Sequence, residues 1–375
     1  MRDARHPTSR FSALTLRAVL WIGLALGGCE GDNGTAPPPA PSTASFRALG
    51  DLPGGDFHSE ALAVSDDGHV VVGRSSSARF TEEGFAWSGA DTLTPLLGAG
   101  SVPLASEPRG ITASGDVVAG KIGIAGGAFV AAVWTAATGW VGVGDLAGGT
   151  LISQALGISG SGSVLVGWGS SDAGFESVRW TANTPVAMGD LPGGVYNSAA
   201  AQVSADGGTI AGTGSSASGP EAYVWTQAGG MVGLGDLAGG AFESEAFGMN
   251  GNASVIVGEG TGAAGVEAFR WTAAGGMQGL GDLPGGDFHS TAFDVSDDGS
   301  VVVGFATTGA GSEAFIWDAA HGMRSVKDVL AAAGVTAVNG WTLTEATGIS
   351  ADGHTVIGNG TNPNGQAEGW VARLP

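Results

Sequence analysis

One 24-residue stretch recurs almost unchanged more than two hundred residues further along the chain, and this repetition constrains the fold most. Residues 50–73 read GDLPGGDFHSEALAVSDDGHVVVG and residues 281–304 read GDLPGGDFHSTAFDVSDDGSVVVG, with 20 of the 24 positions identical. Self-similarity at a fixed period is typical of repeat architectures, in which each repeat is one structural unit that packs on its neighbours. The length of the period therefore decides the fold class.

Two residue types give the same period independently. The aspartate of the Gly-Asp-Leu motif recurs at steps of about 46 residues, apart from one double step across a unit near Gly98 in which the motif has degenerated: Asp51, Asp145, Asp190, Asp236 and Asp282. A further step of 46 reaches Asp328, in VKDVL. A tryptophan that ends segments such as EAFRW recurs at steps of 45 to 47 residues: Trp87, Trp134, Trp180, Trp225, Trp271 and Trp317. The last unit ends in GWVARLP, which places Trp370 at the Phe position and Ala372 at the Trp position of the same segment. With this last segment and the degenerate unit counted, the chain contains seven units.

Each unit can be divided into four short strands. In the sixth unit these are GMQGLGDL, HSTAFDVS, SVVVGFAT and EAFIWDA, and the sequence DDG between the second and third predicts a tight turn. Four strands in about 40 to 50 residues, repeated four to eight times, are typical of a β-propeller. We predict an all-β, seven-bladed propeller over residues 46–375.

The two ends of the repeat region are complementary. The first unit opens with FRALGDL, a first strand without a preceding fourth strand, and the last ends with GWVARL, a fourth strand without a following first strand. If these two strands pair, the ring closes and no open sheet edge remains. An open β-solenoid is the alternative, but a solenoid does not need complementary half-units at its ends.

The residues before the repeats predict export and lipid anchoring. Residues 1–28 combine four arginines with a short apolar run, Ala18 to Leu26, as in a secretory signal peptide. The run ends in Leu-Gly-Gly-Cys, which resembles a bacterial lipobox and implies cleavage before Cys29 and lipid attachment to it. Cys29 is the only cysteine, so no internal disulfide can form. Residues 29–45 are rich in Pro, Gly, Ser and Thr and predict a flexible tether.

The repeat motifs resemble the HAF-repeat family of probable extracellular proteins. The resemblance rests on LGDLPGG, a strand that ends in Ser-x-Asp-Gly, then VVVG and an AFxW closing strand, and it covers about residues 46–375. The His-Ala-Phe tripeptide that names the family is changed here, because glutamate takes the histidine position in Glu221-Ala222-Tyr223, Glu267-Ala268-Phe269 and Glu313-Ala314-Phe315. The resemblance implies secretion and a binding or structural role, with no catalytic residues.

Composition limits the partners. The formal net charge is −21, and removal of the basic N-terminal segment makes the remainder more acidic. Contacts to nucleic-acid phosphates need Lys and Arg, so we predict no nucleic-acid partner. The partners that we expect are membrane lipid, through the acylated cysteine, and an unidentified protein or glycan.

Three sets of carboxylates are candidate site residues, and for each we favour a structural explanation. The repeated Asp of Gly-Asp-Leu suits either a calcium ring or a capped turn, and we favour the turn. The Ser-x-Asp-Gly segments are expected to form hairpin turns rather than calcium loops: Asp66, Asp67, Asp206, Asp297, Asp298 and Asp352. The glutamates of the closing strand either line a channel or mark an exposed strand start, which we favour: Glu83, Glu176, Glu221, Glu267, Glu313 and Glu368.

No other motif points to catalysis, a metal or a cofactor. His58 and His289 occupy equivalent positions in different units, so they are not expected to be adjacent ligands. The Ala-rich segment 326–341 predicts a short helix inserted in the last unit, a candidate binding loop.

We predict a non-catalytic binding or scaffolding module, anchored by lipid in the bacterial cell envelope at the outer membrane or cell surface. The alternative is an enzyme that acts on extracellular polysaccharide with carboxylates at the channel mouth. Similar units repeat their polar groups around the ring, whereas catalysis needs dissimilar groups at one point. A purely structural role in an envelope assembly is a third possibility.

Overall fold

The computed structural model describes residues 44–90, 92–102 and 104–375. The predicted signal peptide (1–28), Cys29 and the tether up to residue 43 lie outside the described residues. The described chain forms seven four-stranded antiparallel sheets, which confirms the seven-bladed β-propeller. We number the blades 1 to 7 in chain order and name the strands of each blade a to d, from the central channel outward.

The strands are short and follow the repeat. β1 (Ser45–Ala48) belongs to blade 7. Blade 1 contains β2 (Ser59–Val64), β3 (Val71–Ser75), β4 (Glu83–Trp87) and β5 (Thr94–Pro95), and blade 2 contains β6 (Ser106–Ile111), β7 (Val117–Gly123), β8 (Phe129–Thr135) and β9 (Gly139–Gly142). Blade 3 contains β10 (Gly148–Ile158), β11 (Val164–Ser171), β12 (Gly174–Thr181) and β13 (Thr184–Gly189), and blade 4 contains β14 (Ala199–Val203), β15 (Thr209–Ser216), β16 (Gly219–Thr226) and β17 (Gly230–Gly233).

The remaining blades continue the same order. Blade 5 contains β18 (Gly239–Met249), β19 (Ile256–Gly262), β20 (Gly265–Thr272) and β21 (Gly276–Gly279), and blade 6 contains β22 (Ser290–Val295), β23 (Val301–Thr308), β24 (Gly311–Asp318) and β25 (Gly322–Ser325). Blade 7 contains β26 (Thr342–Ile349), β27 (Thr355–Thr361) and β28 (Ala367–Arg373), with β1 as its outer strand.

The ring closes as the half-units predict. β1 pairs antiparallel with β28, from Ser45 opposite Arg373 to Ala48 opposite Trp370. The observed pairing shifts the boundary between units by one strand. The segment predicted as the first strand of each unit is strand d of the preceding blade. β21, for example, pairs with β20 rather than with β22. The Gly-Asp-Leu motif itself lies in the loop that leads from strand d to strand a of the next blade.

A glycine in every strand b allows the four-stranded sheets to bend. Each strand a has a register irregularity, and the carbonyl oxygen just before it lies only 1.9 to 2.2 Å from where a Cβ of the glycine would be. The glycines are Gly73, Gly120, Gly167, Gly212, Gly258, Gly304 and Gly358. In five blades a fully buried ring on strand c lies opposite this glycine: Phe85, Tyr223, Phe269, Phe315 and Trp370. The glycine of VVVG is therefore a packing requirement.

Buried serines join neighbouring blades. The Oγ atom of a serine at an equivalent position in or just before strand a accepts an N–H from strand c of the preceding blade, as in Ala222 N–H to Ser244 Oγ at 3.1 Å. Ser244 Oγ also donates to the carbonyl of Gly235 at 2.7 Å. The serines that accept such a bond are Ser59, Ser106, Ser153, Ser198, Ser244 and Ser290. We call this set the serine seam.

Replacing Ser244 with alanine is expected to lower the free energy of unfolding by about 1–3 kcal/mol, because the buried N–H of Ala222 loses its acceptor. Ser218→Ala is the control, since Ser218 is exposed. Urea denaturation of both variants measures the difference. Equal stability of the two variants would show that the seam contributes nothing to cohesion between blades.

The insertion in the last unit forms the short helix that the sequence predicts. α1 spans Val326–Ala332, begins with Ser325 as its N-cap, and is followed by a 3-10 turn at Thr336–Val338. Val326 and Leu330 are fully buried and belong to the same core cluster as Phe46 and Trp341. One side of the insertion therefore covers the outer part of blade 7. No helix among the described residues is long and apolar enough to cross a membrane.

Candidate functional site

The seven inner strands surround a central channel that holds a cavity of about 550 Å³. This volume is within the range of small-molecule sites, about 300–1,000 Å³. Strand a begins at one end of the channel, which we call the top, and its turn into strand b lies at the other end, the bottom. The loops from strand d to strand a and from strand b to strand c are also at the top.

Backbone hydrogen bonds between neighbouring blades tie the bottom turns together. The N–H of Gly160 donates to Ala205, and the N–H of Ala205 donates to Gly251, at 3.1 and 2.8 Å. On the other side of the ring, the N–H of Asp297 donates to Ala351 and that of Ala351 donates to Asp66, at 3.1 and 3.0 Å. The bottom is thus held by backbone atoms, whereas the top is formed by side chains that vary.

Asp294 lies at the strand irregularity of blade 6 and joins it to blade 7. Its Oδ1 accepts the N–H of Val295 at 2.8 Å, and its Oδ2 accepts the N–H of Ile349 at 2.9 Å. Burial raises the pKa of Asp294 from 3.8 to about 7, against the opposing effect of these two hydrogen bonds. Gln202 occupies the corresponding position in blade 4, and its Oε1 accepts the N–H of Val203 at 3.0 Å. An amide therefore fits this position.

The raised pKa of Asp294 predicts a pH-dependent stability. Between about pH 4 and 7 the folded state binds more protons at Asp294 than the unfolded chain, so its contribution to stability is present below pH 4 and is lost as pH rises to 7. In the wild type the free energy of unfolding should fall by up to about 1.4 kcal/mol per pH unit in that window, and Asp294→Asn is expected to remove this fall. Urea denaturation at pH 4.5, 6 and 7.5 measures it, with exposed Asp116→Asn as control. Parallel pH profiles for Asp294→Asn and the wild type would contradict the assignment.

The upper part of the two inner strands, around the top of the channel, is where the blades differ. Of the residues there, Glu60, Glu345 and Asn359 line the cavity, whereas Glu107, Gln154 and Thr291 are buried. At one equivalent position in each blade, a residue of strand a lies opposite a residue of strand b. The seven pairs are Glu60–Arg74, Glu107–Lys121, Gln154–Trp168, Ala199–Thr213, Glu245–Glu259, Thr291–Phe305 and Glu345–Asn359. We call them the mouth pairs. No two are alike, although the glycine and serine positions around them are nearly invariant.

Blades 1 and 2 carry the basic part of the mouth. Glu107, 1% exposed, is bound by Arg74 at 3.2 Å, by Lys121 at 3.0 Å and by Arg109. Arg74 also binds Glu60 at 2.8 Å. These cations hold the pKa of Glu107 below its ordinary value, although burial opposes them. Lys121 lies 4.7 Å from the centroid of the Phe129 ring, a cation–π distance.

Blades 5 and 6 carry an acidic and aromatic part. The pKa of Glu245 is raised by burial and by the nearby Glu259 and Glu243, so like charges repel there. Thr291 donates its hydroxyl to Glu259. The Phe293 ring lies 6.0 Å from Phe247 and 5.7 Å from Phe305, measured between centroids. The mouth therefore has a different character on each side.

Four of the Gly-Asp-Leu aspartates cap their own loops, as we favoured, whereas in the first motif the N–H of Leu52, which follows Asp51, donates to Ser75 Oγ at 2.9 Å. In each of four motifs, Oδ1 accepts the N–H of the next residue and Oδ2 that of the seventh residue further on: Asp145, Asp190, Asp236 and Asp282. Asp328 lies instead in the first turn of α1 and is not equivalent. Across the described residues, no three His, Asp or Glu side chains are grouped in a way that suits a metal ion.

The Ser-x-Asp-Gly segments form hairpin turns, as predicted. The aspartate before the glycine accepts a serine hydroxyl and a backbone N–H, which lowers its pKa: Asp67, Asp206, Asp298 and Asp352. The first acidic residue of two of these turns, Asp66 and Asp297, instead lines the bottom of the channel. His58 and His289 lie in different blades, and His58 Nε2 is 3.3 Å from Glu60.

The prediction for the closing-strand glutamates is wrong in both of its forms. They neither line the channel nor sit at exposed strand starts: Glu83, Glu176 and Glu368 are buried, and Glu221, Glu267 and Glu313 are half-buried. The Oε1 atoms of three of them accept the N–H of the glycine before the following aspartate, in the pairs Glu221–Gly235, Glu267–Gly281 and Glu368–Gly50. These glutamates fix the top loop of their own blade.

Sequence reasoning missed the serine seam and the mouth pairs. The serines recur with the same 45 to 47 residue period as the tryptophans, so their spacing was a visible signal. The mouth pairs had no such signal, because they differ from blade to blade and depend on the register between strands a and b.

No family model and no curated protein matches the chain. Among solved structures, it is similar to oligogalacturonate lyase from Vibrio parahaemolyticus, with 9% identity, a TM-score of 0.55 and coverage of 90% of this chain and 99% of that one. The β-propeller domain of the Trilobed protease from Pyrococcus furiosus, which has an open velcro topology, gives 11% identity, a TM-score of 0.53 and coverage of 84% and 97%. In the present chain β1 closes the ring.

A prolyl endopeptidase is similar at 13% identity and a TM-score of 0.54, over 85% of this chain but only 50% of that one. The chain thus spans about half the length of that enzyme. All three identities are far below 25%, so these similarities establish the fold alone. They agree in one conclusion, that this chain is a β-propeller.

Proposed function

We propose that the chain is a non-catalytic binding or scaffolding module of the bacterial cell envelope, and that it engages its ligand at the top mouth of the propeller. The observation that carries this proposal is the set of mouth pairs. Seven blades that share their packing residues have seven different pairs at one position beside the channel. Residues needed for packing recur, so the varying members of these pairs that are partly exposed are available for recognition, among them Arg74, Lys121, Trp168 and Glu245.

Electrostatics supports the same place. Glu245 is held in the folded state near two other carboxylates, and its raised pKa means that its ionised form is unfavourable there. Such locally unfavourable groups are often retained at functional sites at the expense of stability. The other mouth carboxylates are each engaged: Glu60 and Glu107 by cations, Glu259 by Thr291 and Glu345 by Asn359.

The experiment compares Glu245→Gln with the wild type. Removal of the repulsion is expected to raise the melting temperature at pH 7 and to have no effect well below pH 4.5, where the carboxyl is protonated in both states. Glu82→Gln is the control, because Glu82 lies 2.7 Å from Arg74 and its charge is compensated.

The same variants test binding by thermal shift with calcium and a set of cell-wall and capsular glycans. A ligand-induced shift in the wild type should shrink in Glu245→Gln and in Trp168→Ala. If every shift is the same in the wild type and in both variants, the mouth is not the binding site.

Anchoring in the envelope rests on Cys29 and the basic and apolar residues before it. The HAF-repeat resemblance, which implies secretion, points the same way. Labelled palmitate supplied to expressing cells is expected to enter the wild type and not Cys29→Ser. Equal incorporation would contradict lipidation at Cys29, and fractionation of inner and outer membranes tests the location at the outer membrane or cell surface.

One observation favours the alternative, an enzyme acting on polysaccharide. Glu245 and Glu259 face each other across two paired strands, and a carboxyl with raised pKa beside a second carboxylate is the arrangement of many glycoside-cleaving sites. Release of reducing ends from capsular glycans by the wild type, lost in Glu259→Gln, would establish the enzyme and overturn the non-catalytic proposal.

A further inference from the structure

The exposed apolar side chains are concentrated in one sector of the propeller. Among the described residues, nine large hydrophobic side chains are exposed, and seven of them lie in blades 3 to 5: Leu151, Phe175, Val186, Val195, Tyr196, Val232 and Phe242. Only Val102 and Val141 lie elsewhere. Scattered exposed apolar residues are ordinary, but a concentration in one sector marks an interaction surface.

Five of these side chains lie at the top, and we call them the top crescent: Leu151, Phe175, Val195, Tyr196 and Phe242. Val195 is the most exposed, at 84%. The top loops of blades 4 and 5 rest on the preceding blades in the same way. The carbonyls of Tyr196 and Phe242 lie beside Gly174 and Gly219, each 2.7 Å from the position of a Cβ there. The crescent therefore passes from blade to blade.

The crescent continues into the mouth through aromatic rings in edge-to-face contact. The Phe175 ring packs edge-on against Trp168 at 5.4 Å between centroids, and Trp168 packs against Phe129 at 5.9 Å. Trp168 belongs to a mouth pair. Rings that are held by one another lose little freedom when a partner covers them, which favours binding.

The same sector carries a net negative charge, as the rest of the propeller does. Residues 148–279 contain ten Asp and Glu and only two basic residues, Arg179 and Arg270. Arg270 donates to the carbonyl of Gly299, in the bottom turn of blade 6, and Arg179 holds the equivalent position in blade 3. Both are therefore away from the crescent. Exposed Asp172 and Glu243 lie in the top loops beside it.

The inference from these observations rests on the proposed function and adds the chemical class of the partner. We propose that the top crescent docks a protein segment that carries both basic and apolar side chains. The apolar side chains would cover the exposed rings and Val195, and the basic ones would meet the surrounding carboxylates, as complementary interfaces do. Charge argues against a second copy of this chain, which would bring the same acidic sector, and against an anionic lipid surface.

The probe is a fluorescent twelve-residue peptide of six lysines and six leucines, and its counterpart with glutamate in place of lysine serves as control. Fluorescence anisotropy with the full mature chain is expected to show saturable binding of the lysine peptide, weakened by salt, and none of the glutamate peptide. The double variant Val195→Ser/Phe242→Ser should weaken binding at least tenfold. Glu243→Gln should weaken it several-fold.

Matched controls separate the crescent from general attraction to an acidic protein. Val102→Ser/Val141→Ser removes exposed apolar side chains elsewhere, and Asp116→Asn removes an exposed carboxylate in blade 2. Both should bind like the wild type. Equal weakening by crescent and control variants would overturn the inference. So would a dimer in sedimentation that Val195→Ser/Phe242→Ser abolishes, because it would identify a second copy as the occupant.

A mouth variant distinguishes this inference from the proposed function. If Trp168→Ala abolishes peptide binding and the crescent variants leave it unchanged, the mouth is a binding site and the crescent inference fails. If neither mouth nor crescent variants change binding, both fail. Far-UV circular dichroism of each variant shows that the fold is retained.

Discussion

Phe46→Ala is expected to lower the free energy of unfolding by about 3–5 kcal/mol, the cost of removing a buried phenylalanine from a core. Phe46 is 6% exposed and lies on β1, opposite Ala372 of β28. Its ring lies 5.2 Å from Trp341 and 6.0 Å from Trp370, between centroids. The same side chain therefore supports the ring closure and the core beneath α1.

Urea denaturation measures this effect, with Phe242→Ala as a matched control. Phe242 is 37% exposed and belongs to no core cluster, so its loss should cost less than about 1 kcal/mol. Phe46→Ala should also aggregate more readily, because a loosened β1 exposes the edge of β28. If Phe46→Ala were as stable as Phe242→Ala, β1 would contribute nothing to ring closure.

Gly120→Ala is expected to cost about 1–3 kcal/mol or more, because a Cβ would lie 2.1 Å from the carbonyl oxygen of Glu107. Gly123→Ala, on the same strand β7, is the control. A Cβ at Gly123 would lie 3.4 Å from the Cβ of Ala105 and 3.7 Å from its carbonyl oxygen, which are ordinary contacts. Thermal denaturation of the two variants compares a backbone clash with an open position in one strand. Similar melting temperatures would mean that strand a can move away from the glycine.

The repeat predicted most of the fold. The aspartate and tryptophan periods depend on local turns and on gaps between blades. Each recurs in most units and each spans the units that the other marks, so their spacing is enough to count the blades. Ring closure followed from the complementary half-units, and β1 does pair with β28. The short helix in the last unit followed from its Ala-rich sequence.

The candidate site was harder to predict, for a physical reason. The burial of Glu368 depends on the loop that folds over it, which brings the N–H of Gly50 from the opposite end of the chain. The mouth pairs depend on register, as in the pairing of Glu245 with Glu259. Similar units led us to expect like polar groups around the whole ring, and at the mouth this expectation is wrong.

The pairing of β1 with β28 also determines when blade 7 can be completed during synthesis. The first strand of the propeller to leave the ribosome has no partner until the last one has been made, so Phe46 must wait for Trp341 and Trp370. The entropy of closing so long a loop rises only slowly with length, by about 0.6 kcal/mol per doubling. The late pairing of β1 therefore affects the rate of folding more than the free energy of unfolding of the finished protein. A chain cut short before β28 leaves β1 unpaired, and its open edge makes it a target for aggregation or proteolysis.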